Sequence, residues 1–183
     1  YKQTIDVPFL ETAPEDPDKV KSQYQTLATF TTKTTSNAKR NTNVRLAAEA
    51  LNGTIVQPGE EFSFNEVVGQ RTEEKGYQAA AAYSSGEVVQ EIGGGVCQIS
   101  STLYRVEITY RRSHTFEPNY VTPGQDAAIS WEQPDFKFIN RSEGPICIRA
   151  SYADQKATVS IYGIPVLEEG ITWDLYSEKT GEV

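Results

Sequence analysis

Cys97 is the side chain in this 183-residue chain with the most scope for covalent chemistry, because of what flanks it. It follows Glu91-Ile-Gly-Gly-Gly-Val96 and opens Gln98-Ile-Ser-Ser-Thr-Leu-Tyr104. Three consecutive glycines are costly inside regular structure and mark a loop that another backbone can approach closely. The residues after them have helical spacing, with Ile99, Leu103 and Val106 on one face. A cysteine that opens a helix sits where exposed N–H groups and the helix dipole favour the nucleophilic thiolate. The N–H groups of Gly93, Gly94 and Gly95 are candidates for stabilising an oxyanion. His114 is the single histidine of the chain and so the one imidazole base. Asp126 or Asp135 could hold that imidazole in the right tautomer.

Around this core, Glu91, Gly93, Gly94, Gly95, Gln98 and Tyr104 are candidate binding residues. Each has a plainer alternative. Cys97 also fits a small buried hydrophobe packed on a sheet, and the glycines a tight strand-to-helix turn. His114 fits a structural hydrogen bond, and Asp126 and Asp135 fit turn ends after Pro123-Gly-Gln125 and Pro134. Glu91 fits a partner for Arg111 or Arg112, and Tyr104 fits core packing. What separates the catalytic reading from these is the combination of a thiol, a base and an acid near one glycine-rich helix start.

The elements that would position these groups can be read from periodicity. Residues 24–35 alternate and are threonine-rich, which predicts a strand, and Ser36 to Arg40 reads as a polar loop. Asn41-Thr-Asn43 then caps a helix whose apolar stripe is Val44, Ala47, Ala48 and Leu51, stopped by Asn52-Gly53. Short strands follow at Thr54–Val56 and Glu61–Asn65, with a polar loop over 66–76. Ala79–Ala82 fits helix or strand, with strand or irregular backbone favoured, Ser84-Ser-Gly86 reads as a turn, and Glu87–Gln90 as another short strand. After the Cys97–Val106 helix, Glu107 to Arg111 reads as strand, yet no Gly, Pro or Asn separates the two patterns, an odd junction that suggests missing residues near 106–107. Asp126–Trp131, Phe136–Ile139, Ile146–Ala150 and Ala157–Tyr162 all alternate between turn signals. Together these predict an α+β fold: an antiparallel sheet packed against a few helices. A cysteine on a helix start, histidine on a following strand and aspartate on the next is similar, in layout alone, to transglutaminase-like and papain-like thiol enzymes.

Composition narrows the partners. The net charge of −8 argues against nucleic acid or anionic lipid as the main partner. No stretch reaches the roughly 20 apolar residues that span a bilayer, so any membrane tether is expected outside this chain. A basic-then-apolar leader is absent, and Tyr1 as first residue points to a processed chain or an excised fragment. One histidine rules out a multi-histidine metal site within one chain. A site of Cys97, His114 and a carboxylate would match no standard zinc spacing, so no metal and no cofactor is expected. Cys97 and Cys147 could pair, although Cys147 in Pro145-Ile-Cys-Ile-Arg-Ala150 alternates like a strand residue.

In order along the chain stand Asn43–Leu46 before Asn52-Gly53, Pro58-Gly-Glu60, Phe62-Ser-Phe-Asn65, Gly69 and Gly76-Tyr77. Next come Glu91, Gly93-Gly-Gly-Val-Cys-Gln98, Ser100 and Thr102-Leu-Tyr104, followed by His114, Tyr120, Pro123-Gly124 and Asp126-Ala127. Asp135-Phe-Lys-Phe138, Asn140 and Ile161-Tyr-Gly163 complete the series. From about Asn41 to Gly163 this resembles the VanW family. The family pattern has a longer segment between the Leu-Tyr and the Arg-x-x-His than the Arg105–Arg111 stretch found here. The first 40 residues match weakly and look like the junction with the peptidoglycan-binding domain that often precedes such modules. The resemblance implies an extracytoplasmic cell-envelope protein, commonly of a Gram-positive bacterium and linked to vancomycin resistance. It divides the chain into an extension at 1–22, a VanW-like domain at 23–163 and a further extension at 164–183. The expected function is a cysteine-dependent enzyme acting on peptide or amide bonds of peptidoglycan, by hydrolysis or transfer. The alternative is a non-catalytic module that binds peptidoglycan or a partner protein.

Overall fold

The computed structural model describes residues 23–84, 87–107, 109, 111–114, 117–167, 171 and 175–178. The expected strand-like start at residues 1–7 and the turn residues 85–86 lie outside these. Among the described residues eight strands and three helices follow in order: β1 (Gln25–Lys33), α1 (Ala38–Leu51), β2 (Thr54–Val56), β3 (Glu61–Ser63), α2 (Phe64–Val68), β4 (Ala79–Ser84), β5 (Glu87–Ile92), α3 (Cys97–Tyr104), β6 (Lys137–Ile139), β7 (Ile146–Ala153) and β8 (Lys156–Gly163). The main sheet has the order β1-β8-β7-β2, all antiparallel. β3 pairs with β6, and β4 with β5. The chain has the expected α+β architecture of antiparallel sheets and helices.

Alternation in β7 and β8 decides which face is covered. Ile146, Ile148 and Ala150, with Ala157, Val159 and Ile161, are buried. Against that face lie α1, mainly over β7, and α3, mainly over β8. Val44, Ala47, Ala48 and Leu51 form the α1 stripe read from the sequence, and all four are fully buried. A Val or Leu so buried contributes about 1.5–3 kcal/mol. The opposite face of the sheet carries a threonine ladder, with Thr29 bonded to Ser160 and Thr31 to Thr158. Cys147 lies on β7 opposite Ile55 and Tyr162, and both cysteines are free. The alternative of a Cys97–Cys147 disulfide is therefore corrected.

Three local expectations also need correction. α1 begins at Ala38, because the Asn37 side chain caps it by accepting from the Arg40 N–H at 3.0 Å; the sequence had placed the cap at Asn41–Asn43. Phe64 to Val68 is helical, with Ser63 as the cap accepting from the Glu66 N–H at 3.1 Å. Neither the described residues of 107–111 nor Asp126–Trp131 form a ladder strand. The alternation of 126–131 instead reflects a segment laid along α3, whose backbone bonds include Ala128 N–H to Arg112 O at 2.7 Å and Ser130 N–H to Pro134 O at 2.8 Å. Thus the papain-like expectation of His and Asp on successive strands is not reproduced, since both sit on irregular backbone.

Candidate functional site

The glycine loop is fixed by contacts that only glycine permits. At Gly94 a Cβ would stand 2.1 Å from the Ala80 carbonyl oxygen, so no side chain fits. Gly93 and Gly95 have φ of +86° and +99°, the left-handed region where glycine carries no penalty. Both are also crossed by arginine stems. A Cβ on Gly93 would meet Arg71 Cβ at 2.8 Å, and one on Gly95 would meet Arg40 Cγ at 2.5 Å. The triplet therefore makes room for two arginines rather than for solvent. Asn43, fully buried on α1, pins the loop from below. Its amide donates to Gln78 O at 2.8 Å and Gly94 O at 2.9 Å, and its oxygen accepts from the Gln78 N–H at 2.8 Å.

The N–H groups of Gly93 and Gly94 are already spent, on Gln78 O and Glu91 O. The expectation that these two glycines supply oxyanion donors is corrected accordingly. The first turn of α3 is also tighter than an ordinary helix start. Val96, Gln98 and Ile99 each donate to the carbonyl three residues back.

Cys97 stands at the start of α3, half-buried, with Ile129 O as an acceptor for its S–H at 3.2 Å. Serines one turn further on hold the segment that carries the acid. Ser100 Oγ donates to Ala127 O at 2.6 Å, and Ser101 Oγ accepts from the Ala127 N–H at 3.0 Å. That places Asp126 beside His114. One carboxylate oxygen, Oδ2, accepts both the His114 backbone N–H at 2.7 Å and the ring Nδ1 at 2.6 Å. The two side chains are only 7% and 3% exposed. His114 lines the same cleft as Cys97, and the charge of Cys97 acts on its ring.

Electrostatics follow from this chain of contacts. Burial disfavours the imidazolium, but its donation to Asp126 and its interactions with the charges of Cys97 and Asp126 outweigh it and lift His114 to about 9. Burial likewise works against the Asp126 carboxylate, and the two His114 hydrogen bonds still hold it below its ordinary value. Tyr120 is pushed well up, first by burial and then by the charge of Cys97, so it remains a neutral hydroxyl.

Cys97 and His114 open on a cleft of about 890 Å³, whose lining includes the glycine loop, Glu91, Arg40, Arg71, Tyr120 and Trp131. The other sequence candidates divide. Glu91 is exposed on β5 at the rim. Gln98 is fully buried: it accepts from Arg40 at 2.7 Å and donates to Thr32 and to Lys33 O at 2.9 Å, so it holds Arg40 rather than facing the cleft. Tyr104 is buried edge-on to Phe136 and belongs to the core. Asp135 does not meet His114; its carboxylate takes Ser63 Oγ at 2.6 Å, the Asn65 N–H at 2.9 Å and the Phe136 N–H at 2.8 Å. That ties β3 to the strand it pairs with and caps the entry to α2.

Arg40, Arg71 and Asn43 are site features that residue spacing did not single out. Asn43 and Tyr120 stand among the family-like residues without a role attached to them, and the arginines carry no local signal. Among the described residues no group of three or more His, Cys, Asp and Glu side chains is placed to hold a metal ion. No helix there is long and apolar enough to cross a membrane.

Fold and site together define an α+β domain in which Cys97, His114 and the glycine loop line one cleft and Asp126 holds the His114 ring. The family model described as VanW like protein matches residues 39–162, and the chain belongs to that family. It is 43% identical over 138 residues to the Bacillus subtilis (strain 168) protein named "Uncharacterized protein YoaR", covering 72% of this chain and 46% of that one. It is 31% identical over 131 residues to the "Vancomycin B-type resistance protein VanW" of Enterococcus faecalis (strain ATCC 700802 / V583), covering 66% and 48%. The chain thus spans about half the length of the curated relatives it matches. No solved structure matches it.

Proposed function

We propose that this chain is the catalytic domain of a thiol-dependent acyl hydrolase or transferase that acts on peptide or amide bonds of the bacterial cell wall. The observation that carries the reading is that Cys97 lines one cleft with His114, whose ring is held by a buried carboxylate, Asp126. In the proposed cycle the Cys97 sulfur attacks the substrate carbonyl carbon. His114, charged and oriented through Asp126, gives its proton to the departing amine nitrogen as the C–N bond breaks. A thioester on Cys97 and a free amine result. Water or an acceptor amine then attacks the thioester, His114 takes the proton from that nucleophile, and the C–S bond breaks to return the sulfur. Glu91 and the cleft walls would bind the flanking substrate.

The choice of cell-wall peptide as substrate, and of an extracytoplasmic setting, is supported by the resistance name of the Enterococcus relative and by the envelope setting the family resemblance implies. The test is to incubate the purified chain with soluble peptidoglycan stem peptides and follow products by mass spectrometry. Wild type should convert peptide, and Cys97→Ser and His114→Ala should not, while keeping their folds. Conversion that survives Cys97→Ser would sink the proposal. Wall binding that persists in Cys97→Ala, with no turnover by wild type, would favour a non-catalytic binding module.

A further inference from the structure

The charge around the cleft is opposite to that of the chain. The protein carries a net −8, yet the cleft is lined by Arg40, Arg71, Arg112 and His114 against one acidic residue, Glu91. One of these arginines is already occupied. Arg40 donates to Gln98 and lies 5.8 Å over the Tyr120 ring. Arg112 is exposed at the surface.

Arg71 differs. Its guanidinium lies 5.8 Å over the Phe64 ring; its Nη1 donates to a neutral acceptor, Asn65 Oδ1, at 2.8 Å, and Asn65 is itself held by donating to Ser130 O at 2.7 Å. Its Nη2 is buried and has no hydrogen-bond partner among the described residues. No carboxylate there stands within ion-pair distance of it. The charges that act on it from further away are those of Cys97, Tyr77 and Asp135, in that order, and the Asp135 oxygens are taken by Ser63, Asn65 and Phe136. A buried guanidinium nitrogen without an acceptor is costly and rare, and it marks a place where a ligand supplies the missing oxygen. The Arg71 stem crosses Gly93, four residues before Cys97, so the missing acceptor belongs in the same cleft as the sulfur.

We propose that Arg71 is a carboxylate-binding subsite of the Cys97 cleft, so that the preferred ligand is a peptide with a carboxylate close to the acyl group offered to the sulfur. Guanidinium and carboxylate match in planar, two-pronged geometry, which a neutral amide does not supply. The subsite deepens the function proposed above and rests on it only for the position of the acyl group.

Two alkylating agents of nearly equal size separate the two ideas. Iodoacetamide is neutral and reports how nucleophilic Cys97 is. Iodoacetate carries the carboxylate. In a Cys147→Ser background, where Cys97 is the one thiol, the rates with both reagents are measured at pH 7 and low salt and divided by those of N-acetylcysteinamide. The iodoacetate-to-iodoacetamide ratio should exceed that of the model thiol by about tenfold, the gain of one charge-assisted contact. Arg71→Gln should abolish that excess, the ratio cancelling any change in the reactivity of the sulfur itself, and Arg71→Lys should keep part of it. On wild type, acetate should protect Cys97 from iodoacetamide where acetamide at matched ionic strength does not, which needs no variant to fold. The subsite is overturned if wild type shows no excess, or if Arg71→Gln slows both reagents alike, which would make Arg71 a support for the sulfur. An iodoacetamide rate no higher than the model thiol's counts against the nucleophile, while the ratio still decides the subsite.

Discussion

Replacing Asp126 with Asn keeps the shape of the side chain at His114 and removes its charge. His114 rises from 6.5 to about 9 in the folded protein, which at about 1.36 kcal/mol per pH unit amounts to about 3 kcal/mol in favour of the imidazolium. Asp126 supplies the largest favourable share, and burial continues to oppose the charge once it is gone. Asp126→Asn should therefore lower the His114 titration midpoint by at least about one pH unit and cost about 1–2 kcal/mol of stability near neutral pH. The sign with pH follows from the two directions. A raised histidine contributes stability fully present below its unfolded value near 6.5 and lost as pH rises through about 9. A depressed Asp126 contributes stability present above the ordinary carboxylate value and lost as pH falls through its lower folded one. The difference in melting temperature between wild type and Asp126→Asn should thus be greatest from about pH 4 to 6.5 and shrink toward pH 9. Because His114 is the only histidine, its ring carbon resonances report the titration without assignment ambiguity. A wild-type midpoint at or below 6.5, or one that Asp126→Asn leaves in place, would refute the ion-pair account.

Other substitutions separate positioning from chemistry. Gly94→Ala forces a Cβ against the Ala80 backbone, so thermal denaturation should show a loss of at least about 2 kcal/mol, with unchanged stability contradicting the tight crossing. Asn43→Ala strips three buried hydrogen bonds from the glycine loop and should cost about 2–4 kcal/mol in chemical denaturation. Asp135→Ala removes the acceptor of Ser63, Asn65 and Phe136. It should lower stability by about 1–3 kcal/mol and leave the iodoacetamide rate of Cys97 unchanged in the folded protein; a changed rate would restore Asp135 to the site.

What could be read from the sequence was whatever repeats along the chain. The α1 stripe of Val44, Ala47, Ala48 and Leu51, and the alternation of β7 and β8, follow from one buried face each. Cys97, His114 and Asp126 could be nominated because their side chains have few chemical uses, and a glycine triplet is rarely idle. The choice between Asp126 and Asp135 was not legible, since both follow a proline-containing turn. It is made by long-range bonds from Ser100 and Ser101, which draw residues 126–128 onto α3. The start of α1 was missed because Asn37, Asn41 and Asn43 all cap well, and tertiary contacts turn Asn43 inward to Gln78 and Gly94. Arg40 and Arg71 carry no periodic or motif signal; what brings them into the cleft is the missing Cβ on Gly95 and Gly93.

The central claim is that Cys97 carries the acyl group during turnover, with His114 and Asp126 behind it. The most direct measurement is the intact mass of the protein quenched in acid during reaction with a cell-wall stem peptide, with the modified residue located by peptide mapping. A mass increase equal to the acyl fragment, mapped to Cys97, cleaved by hydroxylamine and absent in Cys97→Ser, is the expected result. Peptide turnover with no adduct on Cys97, or an adduct that persists in Cys97→Ser, would contradict it.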